Sequence, residues 1–265
     1  MRLILSSLSA STKSFLFRRR WVSLALMLFG FFLISGCATN KGIEKSYRNA
    51  EEMYNDGVQQ YHAIHYEDAE TILGDLMERY PLSNYALDGE LLLADVLYAD
   101  EKYDEARVYY TDFVAIHPAH SKASYALFQK GMCFFREVLS ADRDQTNTRK
   151  AILAFEDLSK DYPESSYNDK AVELVAFLRK RLADRELYVG KFYFKKKKYK
   201  GALSRFKVIL KKYPHSGIVD EALYYIVKSY VKLGEEDLAK DVLSTMVSDY
   251  PTSSYTKDAR KMVGG

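Results

Sequence analysis

From about residue 50 onward, small and bulky positions recur at helical spacing, and five times they do so on one plan. An Ala is followed four residues later by a bulky residue and twelve residues later by Pro: Ala69/Leu73/Pro81, Ala106/Tyr110/Pro118, Ala151/Phe155/Pro163, Ala202/Phe206/Pro214 and Ala239/Leu243/Pro251. These account for all five prolines of the chain. Residues i and i+4 share a helix face, so each segment predicts a helix whose Ala admits a close neighbour while the bulky residue fills the space beside it. Proline then ends the helix, because it has no N–H to donate and clashes with the carbonyl four residues back. A Ser follows within three residues each time (Ser83, Ser121, Ser165, Ser216, Ser253), where it is expected to cap the next helix.

This spacing resembles the second helix of a tetratricopeptide repeat. Twelve residues before the Ala, where the two helices of such a repeat cross, stand the small residues Gly57, Ala94 and Gly190; the fifth copy departs with Val227. Counting thirteen residues on from Pro81, Pro118 and Pro214 reaches Ala94, Gly131 and Val227, so Gly131 is the third crossing residue. Proline spacings of 37, 45, 51 and 37 residues place an insertion between the helices of the third copy and another ahead of Gly190. The first predicts a polar surface loop over Leu139 to Thr146. The second, fourteen residues or almost four helical turns, predicts one long helix from Ser165 to about Lys197. Ser253 to about Met262 reads as a polar final helix, the lid that a repeat array needs. The expected fold is an all-α, tetratricopeptide-like helical solenoid of five helix pairs with a C-terminal capping helix, spanning residues 50–265.

Residues 1–36 are outside that plan. Lys13 and Arg18 to Arg20 precede an apolar run from Trp21 to Ile34, followed by Ser35-Gly36-Cys37. A positive region, a short apolar core and small residues at a cleavage point make a signal peptide. Ile-Ser-Gly-Cys resembles the bacterial lipobox, which implies cleavage before Cys37 and its lipidation. Ala38 after the Cys implies, by the same resemblance, sorting to the outer membrane. Residues 37–49 then form a lipidated tether of roughly 20 Å if flexible. The stretch before the apolar run has no reading. Removing residues 1–36 takes away five basic residues and no acid, leaving 34 basic against 36 acidic residues, so the overall formal charge of +3 belongs to the leader. Overall charge therefore gives no indication of a nucleic-acid partner. With Cys37 lipidated, Cys133 has no disulfide partner and is expected to be a buried apolar residue.

A lipobox Cys, a short tether, five such repeats, Tyr-Pro-x-Ser junctions (Tyr80 to Ser83, Tyr213 to Ser216, Tyr250 to Ser253), a loop in the third repeat and a very long helix after it resemble the BamD (ComL) family. The segments Ala141 to Gln145, Ala154 to Leu158 and Asp161 to Ser165 are the most family-like. The resemblance implies a lipoprotein of the β-barrel assembly (BAM) machine, lipid-anchored at the periplasmic face of the outer membrane. Its implied partners are the periplasmic domains of BamA, other lipoproteins of the machine and unfolded outer-membrane proteins. A lipidated repeat array alone would also fit a pilotin-like or cell-wall-coordinating lipoprotein.

In tetratricopeptide arrays the concave wall comes from first-helix positions around each crossing residue. Here those positions supply Tyr54, Tyr61, Asp95, Tyr98, Tyr125, Phe128, Phe135 and Arg136, with Asp88, Leu91 and Met132 among them. Stiff aromatic rings give large contact area at little entropy cost. Such a wall suits an extended strand alternating apolar and aromatic residues, and Arg136 could pair with its terminal carboxylate. The same rings could instead pack between successive repeats. Lys195, Lys196, Lys197 and Lys198, with Lys191 and Lys200 nearby, form a possible docking patch for an acidic domain, or a solvated helix end. His62/His65 and His117/His120 lack a third ligand, so no metal is expected, nor any other cofactor. There is no phosphate loop, nucleophile elbow or catalytic carboxylate pair, and enzyme activity is not expected.

Overall fold

The computed structural model describes residues 49–264. Cys37, the leader, all but the last residue of the tether, and Gly265 lie outside the described residues.

Eleven helices follow in order among the described residues: α1 (Ala50–His62), α2 (Tyr66–Arg79), α3 (Asn84–Ala99), α4 (Tyr103–Ile116), α5 (Ala123–Arg136), α6 (Thr146–Asp161), α7 (Asn168–Lys195), α8 (Tyr199–Lys212), α9 (Val219–Leu233), α10 (Glu236–Asp249) and α11 (Ser254–Val263). Each helix packs on the next in sequence, giving five antiparallel pairs closed by α11 against α9 and α10. The Ala of every repeat is fully buried, and Leu73, Tyr110, Phe155 and Phe206 beside them are fully buried too. Leu243 at the open end is half-buried, packed against the last core cluster.

The crossing positions explain how closely the pairs approach. A Cβ built on Gly131 would lie 2.5 Å from the Phe155 ring, and one on Gly190 would lie 2.4 Å from Phe206. On Gly57 it would lie 2.7 Å from Leu73. The large residue of the second helix thus rests on bare backbone of the first.

The turn inside a repeat has its own device. Ile64 (φ 64), Glu101 (φ 61) and Lys197 (φ 58) are left-handed residues two positions beyond α1, α3 and α7, and Gly234 (φ 76) follows α9 directly. Each lets the next N–H reach back into the helix: His65 to Gln60 O, Lys102 to Leu97 O, Lys198 to Tyr193 O and Glu235 to Tyr230 O, all at 2.9–3.0 Å. This six-to-one closure satisfies carbonyls that a helix end otherwise leaves open. In three of the four turns a non-glycine residue bears the conformational cost.

Serine capping follows the sequence expectation in part. Ser83 and Ser253 accept from Tyr85 N and Tyr255 N as N-caps of α3 and α11. Ser165 makes the same bond to Tyr167 N, 3.2 Å, but α7 starts only at Asn168, so the long helix begins three residues later than expected. Ser121 does not cap; His120, two residues after Pro118, accepts from Lys122 N instead. The Ser216 hydroxyl is buried without a hydrogen-bond partner among the described residues, and Gly217 (φ 74) turns the chain before α9 starts at Val219.

The third-repeat insertion is more than a surface loop. Gln145 is only 3% exposed, and its Nε2 donates to Ser140 O and Arg143 O at 2.9 and 3.1 Å while its Oε1 accepts from Thr148. Arg185 of α7 donates to Asp142 O at 2.8 Å, stapling the loop to the long helix.

Gly131→Ala is expected to destabilise by about 1–3 kcal/mol, since Phe155 must leave a fully packed site. Ile64→Gly, which relieves a left-handed side chain that is 69% exposed, is expected to stabilise by about 0.5–1 kcal/mol after the added freedom of the unfolded chain is subtracted. Urea unfolding of the two variants checks both, and shifts of the same sign would contradict this account of the repeat.

Candidate functional site

The first helices of the repeats lie side by side, so the side chains of α1, α3, α5 and α7 that point away from the second helices share one wall. At its centre is Asp95, one residue past the crossing Ala94. Its Oδ1 accepts from the Tyr110 hydroxyl at 2.6 Å and from the Tyr125 hydroxyl at 2.7 Å. Gln129 donates in turn to the Tyr125 oxygen at 3.0 Å. Tyr110 occupies the bulky slot that Leu or Phe fills in the other repeats. A phenol there must find a partner, and Asp95 supplies it across the crossing. Burial raises the Asp95 carboxyl above its ordinary value, opposed by the two tyrosine hydrogen bonds. Burial also raises the Tyr125 hydroxyl, with the nearby Asp95 charge adding to it.

Beside Asp95 opens a pocket of about 460 Å³, lined by Tyr54 from α1, Asp88 and Leu91 from α3, Lys122 and Tyr125 at α5, and Tyr167 ahead of α7. Lys122 Nζ donates to Asp88 at 2.7 Å on the rim. The Tyr125 and Tyr167 ring centroids are 5.7 Å apart, and Tyr54 is paired with Tyr85 at the same distance.

One turn along α3 a second group forms. Arg136 Nε donates to the Tyr98 hydroxyl at 2.8 Å, with the guanidinium 5.6 Å over the Tyr98 ring, and Tyr103 meets Tyr98 edge-on. Arg136 itself is exposed. Tyr61 packs against His62 and Tyr66 and is half-buried.

Residues 47–244 match the YfiO family, described as outer membrane lipoprotein. The chain belongs to the YfiO family. Curated relatives called outer membrane protein assembly factor BamD agree over most of their length. That of Rickettsia prowazekii is 28% identical over 239 residues, covering 90% of this chain and 95% of its own. Those of Neisseria meningitidis serogroup A and Haemophilus influenzae are also 28% identical, covering 85% and 84% of this chain and 90% and 88% of theirs.

On this YfiO scaffold the wall residues separate into three groups. Tyr54, Asp95 and Tyr125 come together at the pocket, while Tyr98 and Arg136 form the neighbouring pair. Phe128 and Phe135 belong more to the packing: Phe128 stacks on Tyr167 at 5.1 Å and tilts against Phe155, and Phe135 meets Phe177 of α7 at 5.9 Å. Lys122, Tyr110 and Tyr167 complete the site, although the sequence marked Tyr110 only as the bulky core residue of its repeat and the other two not at all. Tyr110 carried a signal, a hydroxyl in a slot otherwise apolar, whereas Lys122 and Tyr167 sit at helix starts that the first-helix spacing does not index.

Lys195, Lys196, Lys197 and Lys198 are all exposed, and Lys197 is the left-handed residue that closes the turn. Lys191 is not part of this free charge: it bonds Glu221 of α9 and lies 5.3 Å over the Tyr225 ring. His65 bonds Gln60, and His117 and His120 both pack on Phe113. Among the described residues no group of three His, Cys, Asp or Glu could hold a metal. Cys133 is fully buried, and burial pushes its thiol up to about 12.

Because the folded Asp95 carboxyl holds its proton to higher pH than the unfolded one, near 3.8, the folded state binds the extra proton between the two values. Stability contributed by this group is therefore present at low pH and falls as pH rises through that window. The unfolding free energy of the wild type minus that of Asp95→Asn, followed from about pH 3.5 to 7, should decline. A difference that stays flat or grows with pH would remove the buried-carboxylate account.

Proposed function

We propose that this chain is a lipid-anchored subunit of the machine that assembles β-barrel proteins into the outer membrane, and that its concave wall receives extended segments of unfolded barrel proteins. The observation that carries the proposal is the match to assembly factors over nearly the whole length of both proteins. A non-enzymatic, accessory role accords with that match. The wall supports the substrate side of the reading: half-buried Tyr61 and Tyr98 offer ring area, and Tyr98 holds Arg136 by its Nε so that the guanidinium fork is oriented for a carboxylate.

Peptide affinity and thermal unfolding, measured on the same full-length variants in detergent, test this. For a peptide copying the C-terminal strand of a barrel protein, Tyr61→Ala and Tyr98→Ala are expected to weaken binding about tenfold, roughly 1.4 kcal/mol. Their unfolding should shift far less than the 3–5 kcal/mol typical of an aromatic cavity in a core. Arg136→Ala should cost most when the peptide ends in a free carboxylate and little when it ends in an amide. Unfolding that tracks every loss of binding would return these rings to the core.

Attachment rests on Cys37, proposed as the lipidated residue; several acyl chains make an effectively stable anchor. Docking on the periplasmic part of BamA is assigned to the exposed Lys195 to Lys198 run, an electrostatic contact that salt weakens. Cell fractionation reads both. Cys37→Ser should leave the outer-membrane pellet for the soluble fraction in cells depleted of BamA. Reversal of the four lysines to Glu should keep the protein in the pellet but reduce BamA co-purification at low salt. A Cys37→Ser protein that still pellets would refute the anchor, and co-purification indifferent to charge and salt would refute the docking face.

A further inference from the structure

The pocket beside Asp95 has a chemistry of its own within the wall. Two carboxylates, Asp88 and Asp95, face one cation, Lys122, so the lining carries a net single negative charge. Asp95 is fixed: two tyrosine hydroxyls donate to the same Oδ1, and Gln129 braces one of them. Around it stand the rings of Tyr54, Tyr125 and Tyr167. Such a site repels a carboxylate. An apolar side chain would strip water from the fixed charges and give nothing back. A cation satisfies both features, pairing with the carboxylate and lying against ring faces. Among cations a guanidinium fits best, since it is planar, stacks on rings and forks onto a carboxylate, whereas an ammonium is a compact, strongly hydrated point charge.

We propose that this pocket takes an arginine side chain carried by the extended polypeptide that occupies the wall, with the guanidinium on Asp95 and against the tyrosine rings. The proposal rests on the peptide-binding wall described above. It adds a charge rule to it: the C-terminal carboxylate of the ligand goes to Arg136 and a basic side chain goes to Asp95, so the two ends of the site read opposite signs. Lys122 is the resident cation. It is exposed, held by Asp88 at 2.7 Å, and competes with the incoming charge.

The test uses the full-length protein in detergent and nine-residue peptides of alternating polar and apolar residues ending in Phe with a free carboxylate. A single Arg is walked through the polar positions, and each peptide has a twin with citrulline, which has the same shape without the charge. In at least one register the Arg peptide should bind about tenfold tighter than its twin. Asp95→Asn should bring the two within about twofold. Lys122→Met should widen the preference for the Arg peptide over its citrulline twin about threefold, a result that can be read even if Asp95→Asn unfolds. Equal binding of twins in every register overturns the arginine site, as does a preference that survives in Asp95→Asn or a Lys122→Met protein with no gain. If the twins bind equally but remain sensitive to Tyr98→Ala, the wall stands and the arginine site falls. If no peptide binds, both fall.

Discussion

The arrangement depends on a contact in which there is no room for a Cβ. Where Phe155 meets Gly131 and Phe206 meets Gly190, the ring of one helix lies on the backbone of the other, and the pair cannot separate without opening a void. Repeating that contact sets the first helices side by side. The wall is a consequence: residues around the crossing that do not face the second helix must face one another's neighbours across the groove. A methyl group at Gly131 or Gly190 would disturb packing and wall geometry together.

The second repeat departs from this rule and thereby makes the site. Its crossing residue is Ala94 and its bulky residue is Tyr110, so a hydroxyl is carried into the core. Asp95 answers it from the next position on α3 and at the same time bonds Tyr125 on α5. One carboxylate thus joins the core of its own repeat to the wall of the next. A buried charge is costly unless it is hydrogen-bonded, and the two phenols meet that requirement at Oδ1.

The solenoid and its long helix were legible in the sequence because each follows from a face repeating at a fixed interval; the same interval indexed Tyr54, Asp95 and Tyr125 at the pocket but also Phe128 and Phe135, which pack on neighbouring rings. Gly131 was found by counting, despite the insertion beside it. What periodicity does not encode is which residue of one repeat meets which residue of the next. Lys191 was grouped with the free lysines because its neighbour Glu221 lies on a different helix, thirty residues on. Tyr167 and Lys122 flank helix starts, outside the indexed positions. The bond that His120 accepts from Lys122 N was missed because a histidine ring nitrogen can stand where a serine oxygen was expected. Gln145 looked like loop composition, yet its amide is the internal support on which residues 140–148 are wound.

The 28-residue α7 runs for about 42 Å and takes part in two separate cores. Ala171 and Leu178 belong to the cluster around Phe155, whereas Ala183 and Leu187 belong to the one around Phe206. In a repeat array built of short helices, local opening can stop at any boundary between units. Here the boundary between the third and fourth repeats is the middle of a continuous helix, strapped by Arg179 to Glu156 on one side and by Arg205 to Glu186 on the other. Opening one half therefore requires unwinding the rod on which the other half is threaded. The third and fourth repeats are thus joined by a shared rod and not by a loop, and the seam between them is the stretch of α7 from Leu178 to Ala183.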